Sequence, residues 1–280
     1  MAAEVLSLID RVTYPVDDRS GATYRAMVDA AHHQLTTTGA AELSGFITPD
    51  GVAALVADAE SLAERAYHSV GSGTAFLGPP DTTVDDDHPR ARRMPYGVRA
   101  VAYDVIPRTS PLRQLYESPE VLALVSDIVR QGTLHPYADP FGALNLAVMG
   151  HGDELQWHYD QTDFVVSLAI QAATEGGHFE VVPKLRERSD HHATGERAIL
   201  DGDHREVVTL EMRPGTLLIF GGRTSLHRVS PLSGERLRHV GLLAYDTEPD
   251  RVGTEALRQT RYGRTSPFAE PPAQWPIAAS

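Results

Sequence analysis

The sequence predicts an α+β protein, a mainly helical first half followed by a sandwich or barrel of short β-strands. Two observations carry this. Over residues 1–70, apolar side chains recur at helical spacing behind hydroxyl caps. From Ala143 onward, β-rich runs alternate with turns built on glycine and proline.

Taken in order, Thr23 to Leu35 carries small and apolar residues on one side, and Gly39 stops it. Thr48-Pro49-Asp50 is a helix start, with a hydroxyl cap before a proline at the first helical position. The helix continues from Gly51 to Tyr67, with Leu55, Ala59, Leu62 and Ala66 along one stripe. Ser118-Pro119-Glu120 repeats the signal ahead of Val121 to Val129. Between these helices, Gly71 to Pro95 is rich in Gly, Pro and Asp and reads as a solvated loop, with a lid over an active site as the alternative.

Strands are expected at Ala143–Met149, Leu155–Tyr159, Phe164–Gln171, His178–Val182, Glu206–Glu211, Thr216–Phe220 and Val240–Tyr245. Gly150, Gly152, Gly176-Gly177, Pro214-Gly215 and Gly221-Gly222 punctuate them. The polar stretch 184–206 reads as an inserted loop, and Thr265 to Ser280, rich in proline and alanine, as a tail that wraps the surface or frays. The expectation is one domain over 1–280. Residues 1–142 give helical support and substrate loops, 143–246 the β core, and 247–280 a C-terminal extension.

Composition narrows the chemistry. With 280 residues, 41% of them hydrophobic, one large core is available. There is no cysteine, so disulfides, zinc ribbons, iron–sulfur clusters and thiol nucleophiles are excluded. Any metal must be held by imidazole and carboxylate, offered by 13 His and 38 acidic residues. A net charge of −13 argues against nucleic acid as a partner, because phosphate binding needs a basic face. No apolar run is long enough to span a membrane, and the first ten residues lack a basic start and a long apolar stretch. The cytoplasm is the expected location and a small molecule the expected partner; nothing in the sequence assigns an oligomeric state.

Within Leu155-Gln156-Trp157-His158-Tyr159-Asp160, a strand would aim residues two apart at the same face, setting His158 beside Asp160. His227, downstream of the strand Thr216–Phe220 and the turn Gly221-Gly222, is the third candidate. Two histidines and one carboxylate on one face of an ion are the ligand set of non-haem iron(II) oxygenases. His-x-Asp alone is a weak signal. A second copy, His151-Gly152-Asp153, falls among turn glycines and is read as a loop feature.

The phrases Gly176-Gly177-His178-Phe179-Glu180, Pro214-Gly215-Thr216-Leu217-Leu218-Ile219-Phe220 and Leu226-His227-Arg228-Val229 complete a resemblance over residues 143–246. The chain resembles the iron(II)/2-oxoglutarate dioxygenase superfamily, and is similar to its freestanding branch that hydroxylates or chlorinates free amino acids. The resemblance implies a double-stranded β-helix (jelly-roll) core, with Fe(II), 2-oxoglutarate and O2 as cofactor and cosubstrates. It implies His158, Asp160 and His227 as ligands, and a basic residue roughly ten positions after the distal histidine. Arg236 fits that position best; Arg238 is its neighbour on the same strand face. Halogenating members carry glycine in place of the aspartate. This chain keeps Asp160, so hydroxylation is the implied outcome.

Asn145 is a candidate donor to cosubstrate or substrate, or else closes a strand end. For a small polar substrate, such as an amino acid, charge complementarity offers Arg92, Arg93 or Arg99 for a carboxylate, and Glu154 or Asp163 for an amine. Two other classes use similar strands. One is a cupin-like metal enzyme without 2-oxoglutarate, the other a non-catalytic metabolite-binding β-sandwich.

Overall fold

The computed structural model describes residues 5–188 and 192–270. Helix α1 (Ala22–Thr38) closes on Gly39 in the left-handed region, and strand β1 (Ala40–Leu43) follows. Helix α2 (Pro49–Leu62) starts where the caps place it: the Thr48 hydroxyl accepts from the Gly51 amide at 3.1 Å. Strands β2 (Tyr67–Gly73) and β3 (Met94–Val101) pair antiparallel. Ser110 and Ser118 cap helices α3 (Pro111–Glu117) and α4 (Pro119–Val129) in the same way as Thr48. Then come β4 (His135–Pro136), β5 (Leu144–Met149), β6 (Glu154–His158), β7 (Val165–Gln171) and β8 (Phe179–Val182). Helix α5 (His192–Leu200) precedes β9 (Val208–Leu210), β10 (Leu217–Phe220), β11 (Leu226–Val229), β12 (Arg238–Leu243) and β13 (Tyr245–Asp246). The last element is helix α6 (Glu255–Tyr262).

Eleven strands form one large curled antiparallel sheet in the order β1-β10-β7-β12-β5-β3-β6-β11-β8-β9, with β2 on β3, while β4 and β13 pair separately. This is the jelly-roll core the resemblance implies. Alternation along its strands feeds two layers. Leu144, Leu146, Val148, Val166, Leu168, Ile170, Leu217 and Ile219 pack with Leu55, Leu112, Leu124 and Ile128 of the helices. Met149, Phe179, Val181, Leu218 and Phe220 line the other face. No helix among the described residues is long and apolar enough to cross a membrane.

Four strands arise inside the segment expected to be mainly helical. β1 reads Ala-Ala-Glu-Leu, without a β-branched residue, and β2 carries Gly71 and Gly73; their conformation comes from pairing with β10 and β3, not from local preference. The stretch 184–206, expected as a loop, instead contains α5, pinned to the sheet. Tyr159 donates to Glu196 at 2.8 Å, and the Arg186 guanidinium lies 4.7 Å from the Tyr159 ring centre. Trp157, Leu185, Ile199 and Leu226 fill the space beneath. His191 and the tail beyond Glu270 lie outside the described residues.

His239 on β12 is fully buried, and neither of its ring nitrogens finds a hydrogen-bond partner among the described residues. Burial holds its pKa down at about 4. Between the unfolded value near 6.5 and 4, the unfolded chain takes up a proton that the folded chain refuses, so stability is lost as pH falls through that window. The loss from this residue reaches about 3 kcal/mol near pH 4. His239→Leu should therefore flatten the acid limb of stability, measured as urea midpoints at pH 7.5 and 4.5. An unchanged difference between the two midpoints would refute the assignment.

Candidate metal centre

β6 and β11 lie side by side, with His227 directly opposite His158. The pairing shifts register between His227 and Val229, and alternation along β6 sends Trp157 to the face opposite His158, where it packs with Leu185, Ile199 and Leu226. The two imidazole centres are 4.2 Å apart, tilted by 55°. Asp160, just beyond β6, sets its carboxylate between them: 3.1 Å from His227 Nε2 and 3.7 Å from His158 Nε2. One donor atom from each of the three residues lies within 4.8 Å of the others.

The backbone orients both rings. His158 Nδ1 meets the Gln156 carbonyl at 2.8 Å, and His227 Nδ1 meets the Ser225 carbonyl at 2.9 Å. Each Nδ1 therefore carries the proton and each Nε2 presents a lone pair to the centre, the tautomer a metal requires. Asp160 is placed by its own amide, which donates to the Gly222 carbonyl at 3.0 Å. Gly222 must be glycine, because a Cβ there would sit 2.8 Å from Asp160 Oδ2 and from Val165 Cγ2.

The electrostatics favour a cation. For Asp160, burial pushes the pKa up, but the adjacent His227, then His158, outweigh it; the net value is about 2. Burial, then the adjacent His227, lowers His158 to about 4, leaving it neutral near pH 7. An ionised carboxylate beside two imidazole lone pairs, walled by Phe179 and Phe220 against His227, suits a borderline divalent ion such as iron(II).

The two arginines separate. Arg236 precedes β12 and is exposed, donating to the carbonyls of Ala172 and Ala173 at 2.8 and 3.4 Å. Arg238 opens β12 opposite Met149 and is buried; the one hydrogen-bond contact of its guanidinium among described residues is to Met149 Sδ, at 3.9 Å. Burial lowers its pKa to about 10. Gly177 leaves it room, since a Cβ there would lie 3.0 Å from Arg238 Cδ.

The remaining candidates are engaged elsewhere. Asn145 donates to the Phe141 carbonyl at 2.8 Å and accepts from Tyr262 at 2.6 Å, which makes it a tie between β5 and α6. Arg99 pairs with Asp153, which also meets His68 Nε2 at 2.9 Å; the second His-x-Asp is thus a structural staple. Arg93 donates to Ser72, Glu154 accepts from Gln156, and Asp163 pairs with Arg223. Arg92 and Arg93 line a cleft of about 420 Å³ with Trp157, His204 and Arg228, which does not include the triad. Charge alone selected these residues, and each has a nearer partner.

Sequence reasoning missed helix α6, whose Tyr262 hydroxyl ties it to Asn145 of β5. The signal was present, because Thr254 and Gly263 bracket the helix as cap and stop.

Fold and triad together define an iron(II)/2-oxoglutarate oxygenase. The family model HalD, described as Halogenase D, matches residues 23–261, and the chain belongs to that family. No curated protein matches. Among solved structures, AviO1 from Streptomyces viridochromogenes is 20% identical, covering 80% of this chain and 97% of its own, with a TM-score of 0.55. SnoN, an α-ketoglutarate-dependent epimerase from nogalamycin biosynthesis, is 15% identical over 88% and 94%, with a TM-score of 0.58. A prolyl hydroxylase from Trichoplax adhaerens is 16% identical over 81% and 94%, with a TM-score of 0.53. At these identities the likeness is one of fold.

Proposed function

We propose that the chain hydroxylates an unactivated C–H bond of a small polar metabolite, a free amino acid or a close derivative. In this reading His158, Asp160 and His227 hold iron(II), and Arg238 receives the distal carboxylate of 2-oxoglutarate. Bound iron supplies the activation of O2 that splits 2-oxoglutarate into succinate and CO2 and puts one oxygen atom into the substrate.

The observation that carries the reading is the carboxylate of Asp160, set between two Nε2 atoms whose partner nitrogens are tied to the backbone. A carboxylate ligand occupies the position that a glycine would leave to chloride, which favours hydroxylation within a family named for halogenation. The protein contributes geometry. Gly222 keeps Asp160 in place, Phe179 and Phe220 exclude water beside His227, and Arg238 supplies a buried guanidinium for a planar carboxylate.

The test is a screen of amino acids and related metabolites for succinate release, with product masses recorded. A gain of one oxygen is expected. A gain of chlorine overturns the Asp160 argument, and conversion without succinate overturns the cosubstrate.

A further inference from the structure

Of the triad, Asp160 has the least support from the sheet. His158 is the last residue of β6 and His227 lies within β11, so strand pairing holds both backbones. Asp160 comes two residues after the end of β6, and its side chain is 26% exposed, against 7% and 5% for the two histidines. One anchor is its amide, bonded to the Gly222 carbonyl. The other runs through its neighbour in the chain.

Tyr159 stands between the two ligands and points the opposite way, because alternation sends 158 and 160 to one face and 159 to the other. There it packs with Trp157, Leu185 and Ile199. It is held at both ends. Its amide donates to the Ala75 carbonyl at 2.8 Å, and its hydroxyl donates to Glu196 of α5 at 2.8 Å. Phe76 and the Arg186 guanidinium enclose the ring, their centres 5.6 and 4.7 Å from its own. Arg186 also donates to the carbonyl of Arg223 at 3.1 Å, the residue directly after Gly222. The surroundings of Tyr159 and the second anchor of Asp160 are therefore one connected set.

α5 is built to deliver the acceptor. Glu196 and Ile199, three residues apart, share its inner face, while Arg197 turns outward to Asp87 at 3.0 Å. Glu196 is 1% exposed and Tyr159 2%. A buried carboxyl is costly unless hydrogen-bonded, and the phenol supplies such a bond.

We propose that Glu196 is a positioning residue for the metal centre: through the Tyr159 hydroxyl, α5 fixes the direction in which Asp160 presents its carboxylate. This rests on the reading of His158, Asp160 and His227 as iron ligands. It makes the helix between β8 and β9 part of the site, although no residue of that helix belongs to the triad.

The experiment measures iron(II) dissociation constants, anaerobically and by competition with a chromogenic chelator. The proteins are wild type, Tyr159→Phe, Glu196→Leu and Glu196→Gln, each made also in an Asp160→Ala background. Y159F and E196L should each weaken iron binding ~10–100-fold, the usual cost of disturbing a partner that orients a ligand. E196Q keeps an acceptor oxygen and should recover most of the loss. In the D160A background none of these changes should weaken binding further, because the ligand they orient is gone. In the metal-free proteins, the Asp160 amide should exchange its hydrogen faster in Y159F than in wild type, while the amides of β11 keep their protection.

Equal losses with and without Asp160 would reduce the bond to general support of the fold and overturn the proposal. Wild-type affinity in Y159F would overturn it while leaving the triad intact. A wild type that binds no iron, or that binds it equally well after His227→Ala, overturns the ligand reading and the proposal with it. Y159F deletes a single oxygen atom, so the test stands on that variant if E196L fails to fold.

Discussion

Replacing His227 with alanine is expected to lower turnover at least ~10³-fold and to abolish the visible band formed anaerobically with iron(II) and 2-oxoglutarate. The triad is the only group of three such side chains found among the described residues, so no fourth donor stands ready to substitute. Second neighbours of metal ligands typically cost 10–100-fold in affinity, and loss of a ligand itself should exceed that. The variant should stay folded, because β11 keeps its backbone pairing to β6 and β8. Iron content by elemental analysis, beside the unfolding midpoint, separates lost metal from lost fold. Full iron occupancy with normal turnover would remove His227 from the site.

Arg238→Met is expected to act in two opposite directions. The 2-oxoglutarate concentration needed for half-maximal activity should rise about 30- to 5,000-fold, the range for removing one partner of a buried charge pair. The metal-free, cosubstrate-free protein should become more stable, because a buried guanidinium without an acidic partner among the described residues is replaced by an apolar chain of similar length. Removing ~1–4 kcal/mol of burial cost corresponds to several degrees in Tm for a chain of this size. Arg236→Met provides the contrast. Its guanidinium rests on surface carbonyls, so neither quantity should move much. If Arg236→Met raised the cosubstrate requirement and Arg238→Met did not, the assignment would be inverted.

What sequence could tell follows from the range of each signal. His158 and Asp160 were legible because strand alternation is local, and His227 because its flanking phrase carried the resemblance. The choice between Arg236 and Arg238 was not legible, since both share strand parity. It depends on where β12 begins, and the structure starts it at Arg238. The partners of the candidate substrate arginines were illegible for a different reason. Asp153 pairs with Arg99, and Ser72 holds the Arg93 guanidinium. Such pairings join distant segments and leave no mark on local pattern. β1 and β2 failed for the same cause, since their partners rather than their own residues make them strands.

The facing imidazoles of β6 and β11 also bear on assembly of the sheet. In strand order, β11, β8 and β9 form the end of the sheet beyond β6, joined to the rest through the one seam where the histidines meet. An ion bound there would rivet that seam, so chelation should loosen those outer strands first while the helix-covered side of the sheet holds. Metal supply would then govern how long the folded enzyme survives as well as how fast it turns over.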